Sequence, residues 1–130
     1  MNVFERCETL DLPPAEFIIE GSGVLDALGI RESRDLDVVV EESVFEGLRR
    51  RGFVAKTLGE VPFLASEDGD IEVWLSFDNK SFSELMDGTI QIRGYNFTSL
   101  DLLKSWKQSR GLEKDKHDLV LIEKYLNELS

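Results

Sequence analysis

Residues 18–40 read IIEGSGVLDALGIRESRDLDVVV, and two features of this stretch decide how the chain is read. At one end, Gly21-Ser22-Gly23 follows a short apolar run at 17–19. This reads as a buried strand turning tightly into a short helix over about 24–28, closed by Gly29. At the other end, Asp35 and Asp37 stand immediately before and within the apolar, β-forming run 36–40. Twelve residues lie between Ser22 and Asp35. Side chains two apart on a strand point to the same face, so the two carboxylates project together. Like charges held side by side repel, and such a pair persists mainly where a cation or a proton compensates it. Oxygen ligands of this kind suit magnesium, which is usually held by one or two carboxylates plus substrate phosphates.

Outward from this stretch the pattern stays mixed. Residues 1–12 read as a weak helix or extended lead-in, punctuated by Asp11-Leu12-Pro13-Pro14. Ser43-x-x-Glu46 has the form of a capping box for a helix reaching Arg51, with Gly52 as its stop. Residues 53–57 read as a strand. PFLASEDGDIEVWLSF (62–77) has the form of a hairpin turning at Asp68-Gly69, which places Glu72 on a strand rather than in a loop. Ser81-x-x-Glu84 opens a short helix, 89–92 is a brief strand, and Thr98-x-x-Asp101 caps a helix carrying Leu102, Leu103 and Trp106. The last helix runs from about 113 to 129, with Leu119, Ile122, Leu126 and Leu129 forming an apolar stripe against the sheet. The expected architecture is α+β, a small mixed β-sheet flanked by helices, with residues 1–130 forming one domain.

An apolar fraction of 42% is enough to fill one core in 130 residues, so an ordered chain is expected. No stretch has the apolar length that spans a bilayer, and no basic-then-apolar leader is read at the N-terminus. The single Cys7 cannot form an internal disulfide, which agrees with a cytoplasmic location. His117 is the one histidine, so His-rich zinc sites and Ser-His-Asp triads find little support. A net charge of −11 argues against nucleic acid as a partner, because phosphate affinity draws on clustered Lys and Arg. Basic residues do gather at 49–51 and 104–116, compatible with a small anionic substrate bound with magnesium.

The Gly-Ser step, the acid pair and the later strand acid together resemble the core motif of the nucleotidyltransferase superfamily, the polymerase-beta-like fold. Ile19, Glu20, Gly21 and Ser22 open the motif, Asp35, Leu36 and Asp37 close it, and Glu72 between Ile71 and Val73 supplies the third carboxylate. The tail LLKSWKQSRGLEKDKHDLVLIEKYL (102–126) is similar to the Lys/Arg-rich helical ending of small bacterial members. Three features depart from the pattern: Glu20 where an apolar residue is commoner, Glu rather than Asp as the third acid, and no separate acceptor-binding domain.

The resemblance implies transfer of a nucleoside monophosphate from a nucleoside triphosphate, ATP by default, to a hydroxyl of a small molecule or partner protein. It implies two magnesium ions shared by Asp35 and Asp37, with Glu72 completing the acceptor-side metal. Gly21 and Ser22 would contact phosphate, with Arg31, Arg34, Lys104, Lys107 and Arg110 as further phosphate candidates. Asp70 is a rival for the third acid. A different class stays open: a catalytically weak or inactive module of the same fold. The resemblance to minimal nucleotidyltransferase antitoxins gives that module a helical partner toxin. A dinucleotide-binding reading of GSGVLD ranks last, because Asp26 occupies the third glycine position.

Overall fold

In the computed structural model, which describes residues 1–129, the stretch that opens the sequence forms the centre of a mixed sheet in an α+β fold. The strands are β1 (Ile18–Glu20), β2 (Leu36–Val39), β3 (Val54–Leu58), β4 (Val61–Ala65), β5 (Ile71–Trp74), β6 (Ser76–Phe77), β7 (Lys80–Ser81), β8 (Ile90–Ile92) and β9 (Tyr95–Phe97). The helices are α1 (Val3–Leu10), α2 (Ser22–Ala27), α3 (Glu42–Arg50), α4 (Phe82–Met86), α5 (Leu100–Arg110) and α6 (Glu113–Leu129). Seven strands form one sheet in the order β3-β4-β5-β2-β1-β9-β8, and β6 and β7 form a separate small hairpin. β1 lies antiparallel to β2 and parallel to β9, while β5 runs parallel to β2.

Alternation along the central strands divides their side chains between two apolar clusters. Ile19, Val38, Val73 and Phe97 belong to the larger one, filled by Val3, Cys7 and Leu10 of α1, Val24 and Leu25 of α2, and Phe45 and Leu48 of α3. Ile18 and Val39, of opposite parity, join Phe77, Phe82 and Leu85 in a smaller cluster against which Leu102 and Trp106 pack. By the same alternation Glu20, Asp37 and Glu72 share the side of Ile18, Val39 and Trp74. The smaller core therefore stops where the acids begin.

Several local expectations change. α3 starts at Glu42 with Glu41 as its N-cap and no side-chain cap bond, so Ser43 sits inside the first turn and does not cap. The chain leaves the sheet at Val40, whose N–H still donates to the Trp74 carbonyl at 2.9 Å, and turns at once into the helix. α5 is capped by Ser99, which accepts from Leu102 N–H at 3.1 Å, and not by Thr98. Thr98 N–H is still engaged with the Ile19 carbonyl at 2.9 Å, which postpones the helix by one residue. Strand β9 was not anticipated from the sequence, because its three residues lie between a Gly turn and a helix cap. The expected capping box at Ser81 and Glu84 is present.

The inner face of α6 differs most. Its buried residues are Asp115, Asp118 and Ile122, whereas Leu119 is only half-buried and Leu129 is 68% exposed. Charge pairing, not an apolar stripe alone, docks the first half of this helix.

Gly23, in the first turn of α2, is where the fold is least tolerant of added volume. A Cβ there would lie 2.6 Å from Ile19 Cγ2 and 3.3 Å from Val3 Cγ2, both fully buried side chains. Overpacking of this kind costs about 1–3 kcal/mol, against a gain of at most about 1 kcal/mol from replacing a helical glycine by alanine. Gly23→Ala is expected to lower stability by about 1–2 kcal/mol net in urea denaturation; a variant as stable as wild type would show that α2 does not pack as described.

Candidate functional site

β1, β2 and β5 are adjacent, and their registers bring three acids into one row. Glu20 of β1 is the antiparallel partner of Asp37 of β2, and Asp37 is in turn the parallel partner of Glu72 of β5. Strand spacing of about 4.8 Å puts the three carboxyls side by side on one face. Asp35 is exposed, in the bend just before β2. All four acids line a groove of about 590 Å³. Leu58 and Val61 from the tip of the β3–β4 hairpin, Trp74 on the same face of β5 as Glu72, Phe77 and Trp106 also line it. Trp74 is held by Phe63, stacked on it at 4.3 Å between centroids. Asp78 and Asn79, both at positive φ in the β6–β7 turn, complete the rim.

Burial and mutual repulsion dominate the electrostatics here. Burial first, then the charges of Asp35 and Glu72, then a carboxyl–carboxyl hydrogen bond with Glu72 push the Asp37 carboxyl up to about 7, with Lys114 opposing. Asp37 thus donates a proton to Glu72 when protonated. Glu20 is raised well above the usual carboxylate range by burial and by Asp37 and Glu72, with Arg110 as the opposing charge. It is only 8% exposed, and among the described residues its buried Oε2 has no hydrogen-bond partner.

Gly21 sits beside this row with φ +67° and ψ −141°, a conformation glycine adopts freely and other residues rarely. A Cβ at that position would approach Asp37 Oδ2 to 3.5 Å. Ser22, half-buried, is the first residue of α2. Asp70, the rival third acid, is exposed in the β4–β5 turn and outside the strand, whereas Glu72 faces Asp37.

The basic candidates lie elsewhere. Arg31 makes a two-pronged pair with Asp118, at 2.7 and 3.0 Å. Lys107 is 4% exposed and bridges Asp118 at 2.9 Å and Asp115 at 3.3 Å. Arg110 grips both oxygens of Asp115, at 2.8 and 2.5 Å, which holds that carboxyl well below the usual range. Lys104 pairs with Glu123, and Arg34 is exposed. Of the proposed phosphate contacts, Arg110 alone is among the groove's lining residues; Lys114, whose charge is felt at Asp37, is a second cation there.

Glu20 and Lys114 are the site residues that reading the sequence did not single out. For Glu20 the signal was present, an acid ending the otherwise apolar run Phe17-Ile18-Ile19. Among the described residues, no three His, Cys, Asp or Glu side chains stand in an arrangement that could hold a metal ion directly. The acids are closed on one another through the Asp37–Glu72 hydrogen bond. The all-oxygen donor set and the orphaned Glu20 Oε2 nevertheless fit a hard divalent cation. Among the described residues no helix is long and apolar enough to cross a membrane. Compared with protein-family models, curated proteins and solved structures, the chain finds no match.

The Asp37 shift gives a signed pH dependence. Its folded value is raised, so between about pH 4 and pH 7 the folded chain holds a proton that the unfolded chain has lost. That contribution to stability is present below pH 4 and is lost as pH rises through 7. In chelator at pH 8, Asp37→Asn is expected to be more stable than wild type by about 2–4 kcal/mol, from a shift of about three units at about 1.4 kcal/mol each, discounted for screening. At pH 4 the two should converge. Urea titrations at both pH values check this, and equal stability at pH 8 would contradict it.

Proposed function

We propose that this chain is a magnesium-dependent nucleotidyltransferase, moving a nucleoside monophosphate from a nucleoside triphosphate, ATP by default, to a hydroxyl of a small molecule or partner protein in the cytoplasm. One observation carries the reading. Asp37 and Glu72 are direct neighbours on parallel strands, with Asp35 at the entry of the same groove and Gly21 bending past Asp37. The order of these residues along the chain is what the resemblance requires.

Asp35, Asp37 and Glu72 are the residues that would hold the magnesium ions. When bound, such ions neutralise charge on the attacking and leaving oxygens of an in-line displacement. The chain's own part is positioning. Gly21, buried beside Asp37, bends the chain past the acid row with no side chain to crowd it. Lys114 and Arg110 supply positive charge at the groove wall, although Arg110 is committed to Asp115. Trp74, Leu58 and Val61 form an apolar wall suited to a planar base and to exclusion of water.

The test is transfer of label from each of the four α-labelled nucleoside triphosphates, with magnesium, to protein and small-molecule acceptors. Asp37→Asn and Glu72→Gln should each reduce transfer by more than the roughly 10–100-fold that loss of an outer-shell partner costs. Transfer that survives both substitutions would place the chemistry elsewhere.

A second reading is a non-catalytic, antitoxin-like module of the same fold working with a helical partner protein. It is favoured by apolar side chains left open at the groove rim, Leu58 at 66% and Val61 at 50% exposure. Binding of ATP and magnesium by NMR titration, without transfer in any mixture, would favour it over the enzyme.

A further inference from the structure

Glu20 stands in the motif that led to this site only as a departure from it, at a position where an apolar residue is commoner, yet it is the most constrained of the four acids. It is 8% exposed, it ends a strand whose other two residues are fully buried, and among the described residues its Oε2 has no partner. Arg110, the one favourable charge acting on it, directs its guanidinium to both oxygens of Asp115. An ion-pair role within the fold is therefore already taken by another acid. Buried polar groups are almost always satisfied, and an orphan beside two further acids calls for a compensating ligand. The register sets Asp37 between Glu20 and Glu72, so a cation drawn to the row meets carboxyls from three strands. Neighbouring strands are about 4.8 Å apart, so Glu20 and Glu72 stand about 9.6 Å apart at the backbone; their longer arms must turn inward over Asp37 to reach one ion, an arrangement the three do not hold without it.

We propose that Glu20 is a fourth carboxylate of the cation site, holding one divalent ion with Asp37 and Glu72 before any nucleotide arrives. The proposal rests on the metal-dependent reading above and extends it. A site of one or two carboxylates leans on substrate phosphates to retain magnesium; buried Glu20 beside the half-buried Asp37 and Glu72 adds a third carboxylate, so that the ion is held without them. Glu20 closes the row from the β1 side.

The experiment uses the full chain without nucleotide and Mn²⁺ as the spectroscopic probe, with free Mn²⁺ followed by electron paramagnetic resonance. Wild type is expected to bind one ion saturably. Glu20→Gln and Glu72→Gln should each weaken binding by about tenfold or more, and Glu20→Asp, which keeps the charge on a shorter arm, should give a smaller loss. Glu67→Gln, an exposed acid in the β4–β5 turn, should bind as wild type does, which separates the site from general attraction to an acidic surface. Wild-type affinity in both Glu20 variants overturns the proposal, and so does an absence of nucleotide-free binding in wild type. In either case transfer that still requires Asp37 and Glu72 leaves the enzyme reading standing. Loss of both binding and transfer removes the two together.

Discussion

Three carboxylates in one row across neighbouring strands are the constraint around which this molecule is arranged. The pairings of β1 with β2 and of β2 with β5 would be ordinary if these positions were apolar. They carry Glu20, Asp37 and Glu72 instead, and the smaller core ends at that row. Repulsion among buried acids is a standing cost to the fold. The upward pull on the Asp37 and Glu20 carboxyls, caused by burial and by the neighbouring acids, expresses it. A cation would relieve the same repulsion without protonation, and this is the physical argument that connects the sheet register to the proposed metal-dependent chemistry.

A second group of buried charges shows what a balanced arrangement looks like in the same chain. Arg31, Asp118, Lys107, Asp115 and Arg110 form a continuous series in which every buried acid meets at least two cations. This series fastens α6 to α5 and to the segment leading into β2. The contrast is one of balance: the series pairs its buried acids with cations, and the row at Glu20, Asp37 and Glu72 does not, which is the ground of the proposed cation site.

Much of this was legible in the sequence, for identifiable reasons. The Gly21 bend, the β-branched run at 36–40 and the Asp68-Gly69 turn are local signals, and each produced the element expected of it. The convergence of Asp37 with Glu72 rests on strand order, which local patterning does not encode; it followed from the resemblance. The basic residues were harder to read. Periodicity marks Lys107 as a helical residue but carries no trace of the two aspartates on α6 that enclose it. Those same aspartates displaced the expected leucine stripe, because i, i+3 spacing is identical for an apolar face and for one that buries charge. Glu20 was read as a mismatch to a motif, and only the pairing of β1 with β2 shows that it faces Asp37.

The most direct measurement is anomalous diffraction from crystals grown with Mn²⁺ and a non-hydrolysable ATP analogue. The expected result is an anomalous peak between Asp37 and Glu72, in contact with the analogue's phosphates and beside the Gly21 bend. Peaks confined to other surface acids, with the Asp37–Glu72 hydrogen bond intact and no ion between them, would contradict the claim that this row exists to hold a cation.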